Sequence, residues 1–417
     1  SRTKLINAGI YPEKLGWYPE KISTDLDAVI LGMHAKADNL ELLAAQSLEL
    51  KIYSYPEFIA HFANQKTRVV IAGSHGKTTI SAMVLHVLKY HDRSVDFMLG
   101  AQLLGYKNSV SLSDANDFIL LEGDEYLSSP IDLSPKFHHY NPKISLISGI
   151  AWVHVNVFKT RVDYNKQFEI FIDSITPGGV LVYNKEDAAL NAMVDASENT
   201  IRKESYHTAT HFIDSGSTYL ETDEGALPLE IFGEHNLSNL AGAKWICQLM
   251  GVEEDDFYQA IASFTGASKR LEKIASTNNS LLFKDFAHAP SKVKATNIAV
   301  KKQFEDFKLI ACLELHTYSS LDANFIHNYR DSLSSADLPI VFYDPEALKI
   351  KNRNPITEKQ IVEAFNDARI KVFTQPNAFA DFLLNQEYSK SVLLMMSSGN
   401  YGGINWNALK EKFAENM

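Results

Sequence analysis

The sequence is poor in cysteine and has no long apolar segment. Two cysteines, Cys247 and Cys312, occur among 417 residues, and both lie among apolar neighbours. We interpret them as reduced thiols of a protein core rather than as a disulfide or a metal site. No run of about eighteen apolar residues and no signal peptide is present, so we expect no membrane insertion and predict a cytoplasmic protein.

Positive charge is also scarce. The chain has 40 lysines and arginines against 51 aspartates and glutamates, a formal net charge of −11 at neutral pH. Without a basic patch, nucleic acid is excluded as the expected partner. Hydrophobic residues make up 45% of the chain, which is enough for packed cores, and the length indicates two or three domains.

The most informative stretch is a glycine-rich loop at residues 73–79. An apolar run at residues 68–72 precedes it and predicts a buried strand, and the apolar residues after Lys77 recur at helical spacing. A strand, a glycine turn and a helix start together form a phosphate-binding loop, in which Lys77 reaches the terminal phosphates and Thr78 binds Mg²⁺. The predicted nucleotide-binding residues here are Gly73, Ser74, His75, Gly76, Lys77, Thr78 and Thr79.

Strand-like and helix-like segments alternate along most of the chain. A small α/β piece ends near Lys66, and further buried strands are predicted at residues 117–122, 143–148 and 179–184. Residues 206–232 predict a small antiparallel insertion, and Gly266 predicts a hinge into a second open α/β sheet. This alternation favours doubly wound parallel sheets that bind ligands at the carboxyl ends of their strands.

Acidic residues and a histidine follow two of these strands. Glu122 ends one predicted strand, and we predict it as a Mg²⁺ ligand together with Thr78, with Glu125 as the alternative. His154 follows the next strand and is a further candidate for the metal. A solvated acidic turn and a packed histidine are the alternative interpretations of these positions.

Two later segments also carry polar groups suited to a nucleotide. The residues at 184–187 imitate the guanine-reading motif of GTPases, but no glycine has an aspartate three residues before it, so we interpret them as a turn. His235, Asn236 and Asn239 begin a helix, where they either cap it or contact a purine. Arg270 suits a phosphate, and residues 285–288 follow a strand, where catalytic loops occur.

Together these motifs resemble the Mur ligases, ATP-dependent amide-forming enzymes of peptidoglycan synthesis. The resemblance covers residue 68 to the end of the chain, and the motifs occur in the family's order. The matching residues are the loop at 73–79, Glu122-Gly-Asp-Glu-Tyr126, His154, Gly179 with Asn184, Gly233-Glu-His-Asn236-Leu-Ser-Asn239, Arg270-Leu-Glu272 and Asp285-Phe-Ala-His288.

The resemblance implies three domains with different functions. Residues 1–66 would be a UDP-sugar domain lacking the family's first strand and glycine-rich UDP loop, with further chain upstream of Ser1. Residues 67–265 would be the central ATPase, and residues 266–417 a Rossmann-like domain that brings the amine substrate. One departure is that, where relatives have Asn-x-Glu-x-Asp-His, this chain has Ala151 and Val153, and only His154 remains.

The resemblance also implies a mechanism with ATP and Mg²⁺. The carboxylate of UDP-N-acetylmuramate attacks ATP to give an acyl phosphate, and an amine then displaces phosphate. Lys77 and His154 would act at the phosphoryl group, and His288 would lie near the amine. The remaining nucleotide contacts implied are His235, Asn236, Asn239, Arg270 and Asp285.

Four stretches favour a peptide as the acceptor. They resemble the murein peptide ligases, the branch of the family that attaches L-alanyl-γ-D-glutamyl-meso-diaminopimelate in wall recycling. The stretches are Tyr126, residues 136–142, residues 285–288 and residues 396–403. The alternatives are a ligase that adds L-alanine, a P-loop kinase or ATPase that forms no amide, and a nucleotide-binding scaffold without activity, which Ala151 and Val153 suggest.

Overall fold

The computed structural model describes residues 2–103, 105–153, 157–267, 271–277, 279–350 and 356–414. Within these ranges the strands form a parallel pair, a seven-stranded sheet, a three-stranded sheet and a six-stranded sheet, in the order of the chain. The protein is therefore of the α/β class, as predicted. No helix in these ranges has both the length and the apolar character needed to cross a membrane.

The first region is a small α/β piece. Strands β1 (Val29–Leu31) and β2 (Ile52–Ser54) pair in parallel. The helices are α1 (Arg2–Asn7), α2 (Leu40–Ser47) and α3 (Tyr55–Phe62). Ser54 and Glu57 form a reciprocal capping box that fixes the start of α3. Ile59 on this helix belongs to the same apolar cluster as the next sheet, so the two regions share a core.

The seven-stranded sheet has the order β5-β4-β6-β3-β7-β8-β9. Its strands are β3 (Thr67–Ala72), β4 (Asp96–Met98), β5 (Val110–Ser111), β6 (Phe118–Gly123), β7 (Ile144–Ile147), β8 (Val180–Asn184) and β9 (Arg202–Tyr206). Every pair is parallel except β4 with β5. The accompanying helices are α4 (Lys77–Tyr90), α5 (Arg161–Asp173), α6 (Ala188–Ala196), α7 (Glu234–Leu249) and α8 (Glu254–Ile261).

Strand β3 lies in the middle of this sheet and is covered on both faces. Val69 and Ile71 pack into the cluster that holds α4 and α7. Val70 and Ala72 pack into the opposite cluster, which holds α5. Burial on both faces explains why the sequence of β3 is a continuous apolar run, and it confirms the predicted doubly wound sheet.

The predicted antiparallel insertion is also confirmed. Strands β10 (His211–Asp214), β11 (Ser217–Thr222) and β12 (Gly225–Leu229) form a meander joined by two tight turns. The first turn places Ser215 and Gly216 in the left-handed backbone region, which matches the turn signal in the sequence.

The six-stranded sheet has the order β13-β14-β18-β15-β16-β17. Its strands are β13 (Glu272–Ser276), β14 (Ser280–Asp285), β15 (Lys308–Glu314), β16 (Leu338–Phe342), β17 (Lys371–Phe373) and β18 (Ser391–Met396). The helices are α9 (Pro290–Gln303), α10 (Pro345–Ile350), α11 (Glu358–Phe365), α12 (Pro376–Leu384) and α13 (Trp406–Ala414). The second open α/β sheet predicted from the sequence is confirmed, but β13, an antiparallel edge strand whose side chains are exposed or half-buried, has no apolar run that would predict it.

A buried ion pair joins the start of β3 to β4, and it yields a stability prediction. Lys66 Nζ lies 3.1 Å from Asp96 Oδ2, and these side chains are 8% and 0% exposed. Lys66→Met leaves a buried carboxylate without its cation, so we expect the free energy of unfolding to fall by about 3–5 kcal/mol in urea denaturation. The control Lys166→Met removes an exposed pair with Glu169 and should change little. Equal effects of the two substitutions would contradict the prediction.

Candidate active site

The loop between β3 and α4 depends on two glycines. Gly73 and Gly76 have φ values of +121° and +83°, in the left-handed region that side chains disfavour. A Cβ atom on Gly73 would lie 2.3 Å from Ser148 Oγ, and one on Gly76 would lie 2.2 Å from Asn239 Oδ1. Ser148, which follows β7, and Asn239 of α7 therefore lie so close to the loop that a Cβ atom would collide with them, and the positive φ values also favour glycine.

Lys77 folds back over this loop. Its Nζ donates hydrogen bonds of 2.6 Å to the Gly73 carbonyl and 2.6 Å to Glu125 Oε2. Burial opposes the charge of Lys77, but the carboxylates of Glu125, Asp124 and Glu122 outweigh it and raise the pKa of the lysine. The ammonium group is therefore charged and held in place at neutral pH.

Glu125 is held from a second direction by a tyrosine that the sequence analysis did not single out. Tyr164 lies 3.3 Å from Glu125 Oε1 through its hydroxyl and 2.8 Å from Ser74 Oγ. Burial raises the pKa of Tyr164, so its hydroxyl stays protonated. A tyrosine on a buried helix face has no distinctive sequence signal, and only the packing of α5 against the loop reveals its contact.

Thr78 and Glu122 place two oxygen ligands side by side. Thr78 Oγ1 donates a 2.7 Å hydrogen bond to Glu122 Oε1, and the Gly100 amide donates a 2.9 Å hydrogen bond to the other carboxylate oxygen. Glu122 is 8% exposed. A hydroxyl and a carboxylate at the mouth of a phosphate loop are the hard donors that Mg²⁺ prefers, so this pair fits the predicted ion.

Residues from both large sheets line one cavity of about 430 Å³. Thr78, Thr79 and Glu122 line it from the seven-stranded side, and Asp285 lines it from the end of β14. The volume lies within the range of small-molecule sites. The predicted residues that it brings together are Ser74, His75, Gly76, Lys77, Thr78, Thr79, Glu122, His235, Asn236, Asn239 and Asp285.

Asp285 is bound by backbone groups on both sides. Its carboxylate accepts hydrogen bonds of 2.6 Å from the Leu271 and Ala287 amides, and it is 5% exposed. The same carboxylate opposes the effect of burial on His235, but the pKa of that histidine is still lowered. His235 is consequently a neutral imidazole inside the cavity.

Asn236 lines the cavity and also has a contact at the start of α7, whereas His288, His154 and Arg270 are not among the lining residues that the structure describes. Asn236 donates a 2.9 Å hydrogen bond from its amide to the Phe232 carbonyl, which is a helix-start contact. His288 is a described residue that does not line this cavity, and its Nδ1 lies 2.8 Å from the Phe286 carbonyl. His154 and Arg270 lie outside the described residues.

The sequence profile of the Mur ligase middle domain matches residues 71–247 of this chain. A UDP-N-acetylmuramate–L-alanine ligase from Caldicellulosiruptor bescii is 30% identical over 80% of this chain and 74% of that protein. The chain belongs to the Mur ligase family. It is therefore an ATP-dependent ligase of the class that forms amide bonds in peptidoglycan synthesis.

Relatives within the family have different acceptors. A Haemophilus influenzae ligase named for UDP-N-acetylmuramate and L-alanyl-γ-D-glutamyl-meso-2,6-diaminoheptandioate is 26% identical over 92% of this chain and 85% of that protein. The crystal structure of a UDP-N-acetylmuramate–alanine ligase from Thermotoga maritima superposes with a TM-score of 0.69 at 18% identity, covering 99% of this chain and 90% of the other. That similarity shows a shared fold and leaves the acceptor open.

The position of Lys77 yields a prediction about ATP turnover. Lys77→Ala removes the only positive side chain placed within the loop at residues 73–79, so we expect ATP turnover to fall at least about a hundredfold. The variant should remain folded by circular dichroism, although loss of the ion pair with the buried Glu125 lowers its thermal unfolding midpoint. Lys89→Ala, an exposed lysine on the same helix, is the control. A nearly normal rate for Lys77→Ala would refute the phosphate assignment.

The low pKa of His75 predicts that acid destabilises the fold. Burial, with the positive charges of Lys292 and Lys77, lowers the pKa of His75 to about 3. The unfolded chain binds a proton at His75 below about pH 6.5 that the folded chain rejects, so acidification destabilises the fold. In His75→Asn we expect the free energy of unfolding to fall less between about pH 7 and pH 5 than in the unmodified protein. The exposed His34→Asn is the control, and identical pH dependence in all three proteins would contradict the prediction.

Proposed function

We propose that this Mur ligase joins UDP-N-acetylmuramate to the peptide L-alanyl-γ-D-glutamyl-meso-diaminopimelate while it converts ATP to ADP and phosphate. The observation that carries the ATP-dependent half of this proposal is the position of Lys77. Its charged Nζ is fixed by Gly73 and Glu125 at a cavity that Asp285 lines from the other sheet. A fixed cation at a closed site stabilises charge that develops on a transferring phosphoryl group.

The reaction has two steps. A muramate carboxylate oxygen attacks the γ-phosphorus of ATP, the bond to the bridging oxygen breaks, and ADP leaves from an acyl phosphate. The acceptor amine then attacks the acyl carbon, loses a proton, and expels phosphate to leave an amide. Activation is needed because a free carboxylate is a poor acyl donor, and the protein contributes mainly by positioning and by charge.

The proposed roles of the site residues combine their places in the cavity with the family motifs, from which the roles of His154, Arg270 and His288 are taken. Thr78 and Glu122 would hold Mg²⁺, which supplies charge neutralisation at the phosphates, and His154 is proposed as a further group at that position. We assign the purine base to His235, Asn236 and Asn239, which line the cavity from the start of α7. We assign Arg270 to the nucleotide and His288 to the region of the incoming amine.

We further propose three domains with boundaries at residues 1–66, 67–265 and 266–417. Each proposed unit contains one of the parallel sheets, and the cavity lies between the second and the third. A ligase built in this way holds ATP on the central domain and assembles its site when the last domain closes.

The geometry of the loop after β18 favours a long acceptor substrate. Gly402 and Gly403 have φ values of +67° and +91°, and a Cβ on Gly403 would have nothing within 4 Å. The base of the loop is fixed, because the buried Glu314 accepts a 2.9 Å hydrogen bond from the Tyr401 amide and another from the Ser397 hydroxyl. An open backbone on a rigid base can hydrogen-bond the amides and carboxylates of a peptide.

A second candidate function is the addition of free L-alanine. The Caldicellulosiruptor bescii relative, at 30% identity, favours it, whereas the Haemophilus influenzae relative favours the peptide. The two functions share the nucleotide chemistry and differ in the amine alone.

Steady-state assays with UDP-N-acetylmuramate and ATP distinguish the acceptors. We expect kcat/KM to be at least about tenfold higher with the tripeptide than with L-alanine, because only the longer acceptor can use the open loop. Phosphate release without added amine is the control for a kinase or ATPase. Equal or reversed preference assigns the chain to L-alanine addition, and phosphate release that needs no amine refutes both ligase functions.

A further inference from the structure

The start of helix α9 lines the same cavity and faces the glycine-rich loop at residues 73–79. Ser291 Oγ lies 2.7 Å from His75 Nε2, across 216 positions of sequence. Lys292, the next residue, lines the same cavity as Lys77. The six-stranded region therefore places a hydroxyl and an ammonium group against the loop that the seven-stranded region builds.

Two lysines flank one neutral histidine at this point. Lys292 and Lys77 are both close enough to His75 for their charges to lower its pKa. The Nε2 atom of His75 has Ser291 as its hydrogen-bond partner. The other ring nitrogen, Nδ1, is buried and has no hydrogen-bond partner among the described residues. Two cations from different sheets at one cavity suit a ligand with several negative oxygens.

Two helices begin at this cavity, and both add to its positive electrostatic potential. Helix α4 begins at Lys77, directly after the glycine loop, and α9 begins at Pro290 with no side-chain cap. Each helix therefore contributes the positive end of its dipole to the cavity.

We propose that Lys292 binds the terminal phosphate of the nucleotide, and that the hydrogen bond between His75 and Ser291 positions it there. The inference rests on the proposed function, because it assigns a second cation to the phosphoryl group that Lys77 contacts. The phosphoryl group is then held between the two sheets, so transfer to the muramate carboxylate takes place only when both sides meet. Ser291 is a positioning residue, whereas Lys292 contacts the substrate.

Nucleotide binding tests the role of Lys292 directly. Calorimetry with a non-hydrolysable ATP analogue and with ADP compares ligands that differ by the terminal phosphate. We expect Lys292→Met to weaken the analogue about tenfold and ADP less than about twofold, and to lower kcat about tenfold to a hundredfold. Lys294→Met, an exposed lysine two positions along the same helix, should match the unmodified protein in each measurement.

Substitution of Ser291 tests the positioning role. Ser291→Ala should lower kcat with little change in KM for the acceptor, and Ser291→Thr, which retains a hydroxyl, should restore it. If Lys292→Met weakens the binding of the ATP analogue and of ADP by the same factor, or leaves kcat unchanged, the inference is overturned while the ligase function stays intact. If the unmodified protein fails to turn over ATP with either acceptor, the proposed function falls and this inference with it. Thermal unfolding of each variant confirms that it is folded.

Discussion

The site depends on the hydrogen bonds that hold the ammonium group of Lys77 over a loop whose backbone requires glycine. Lys77 can reach the Gly73 carbonyl and Glu125 at 2.6 Å because β3 and β6 are parallel neighbours that end together. The register pairs Ala72 with Gly123, so the P-loop and the acidic turn leave the sheet at one edge. A change of register would separate the lysine from its carboxylates and leave a buried charge unpaired.

The second large sheet is joined to the first by contacts of two kinds. Phe232 packs edge-on against Phe283 and Phe304, with ring centroids 5.7 Å apart in each case. Nearer the cavity the contacts are polar, such as the bond between His75 and Ser291. Apolar packing persists during small rotations, whereas exposed polar contacts are exchanged with water at little cost. Apolar contacts therefore join the two sheets away from the cavity, and exchangeable polar contacts join them beside it.

Two parts of the six-stranded sheet carry the residues assigned to the nucleotide and to the proposed acceptor. The carboxyl ends of β14, β18 and β15 lie side by side, and they present Asp285, Ser397 and Glu314 in that order across the sheet. Asp285 belongs to the nucleotide cavity, while Glu314 fixes the glycine-containing loop after β18. In the proposed function, one sheet edge serves both substrates, so that the acceptor loop can differ while the phosphate site is retained.

Local sequence determined much of the fold, and tertiary structure decided the rest of the site. The apolar runs of β3, β6 and β7 could be predicted because burial on both faces demands them, and the P-loop because its glycines have no substitute. Strand β13 could not be predicted, since a polar edge strand is defined by its neighbour rather than by its own residues. The contacts of Tyr164 with Glu125 and of Ser291 with His75 join residues far apart in the chain, so they carry no local signal. Ser148 ends a predicted strand and could have been found from that position alone, but its closeness to Gly73 arises only when parallel strands align their ends.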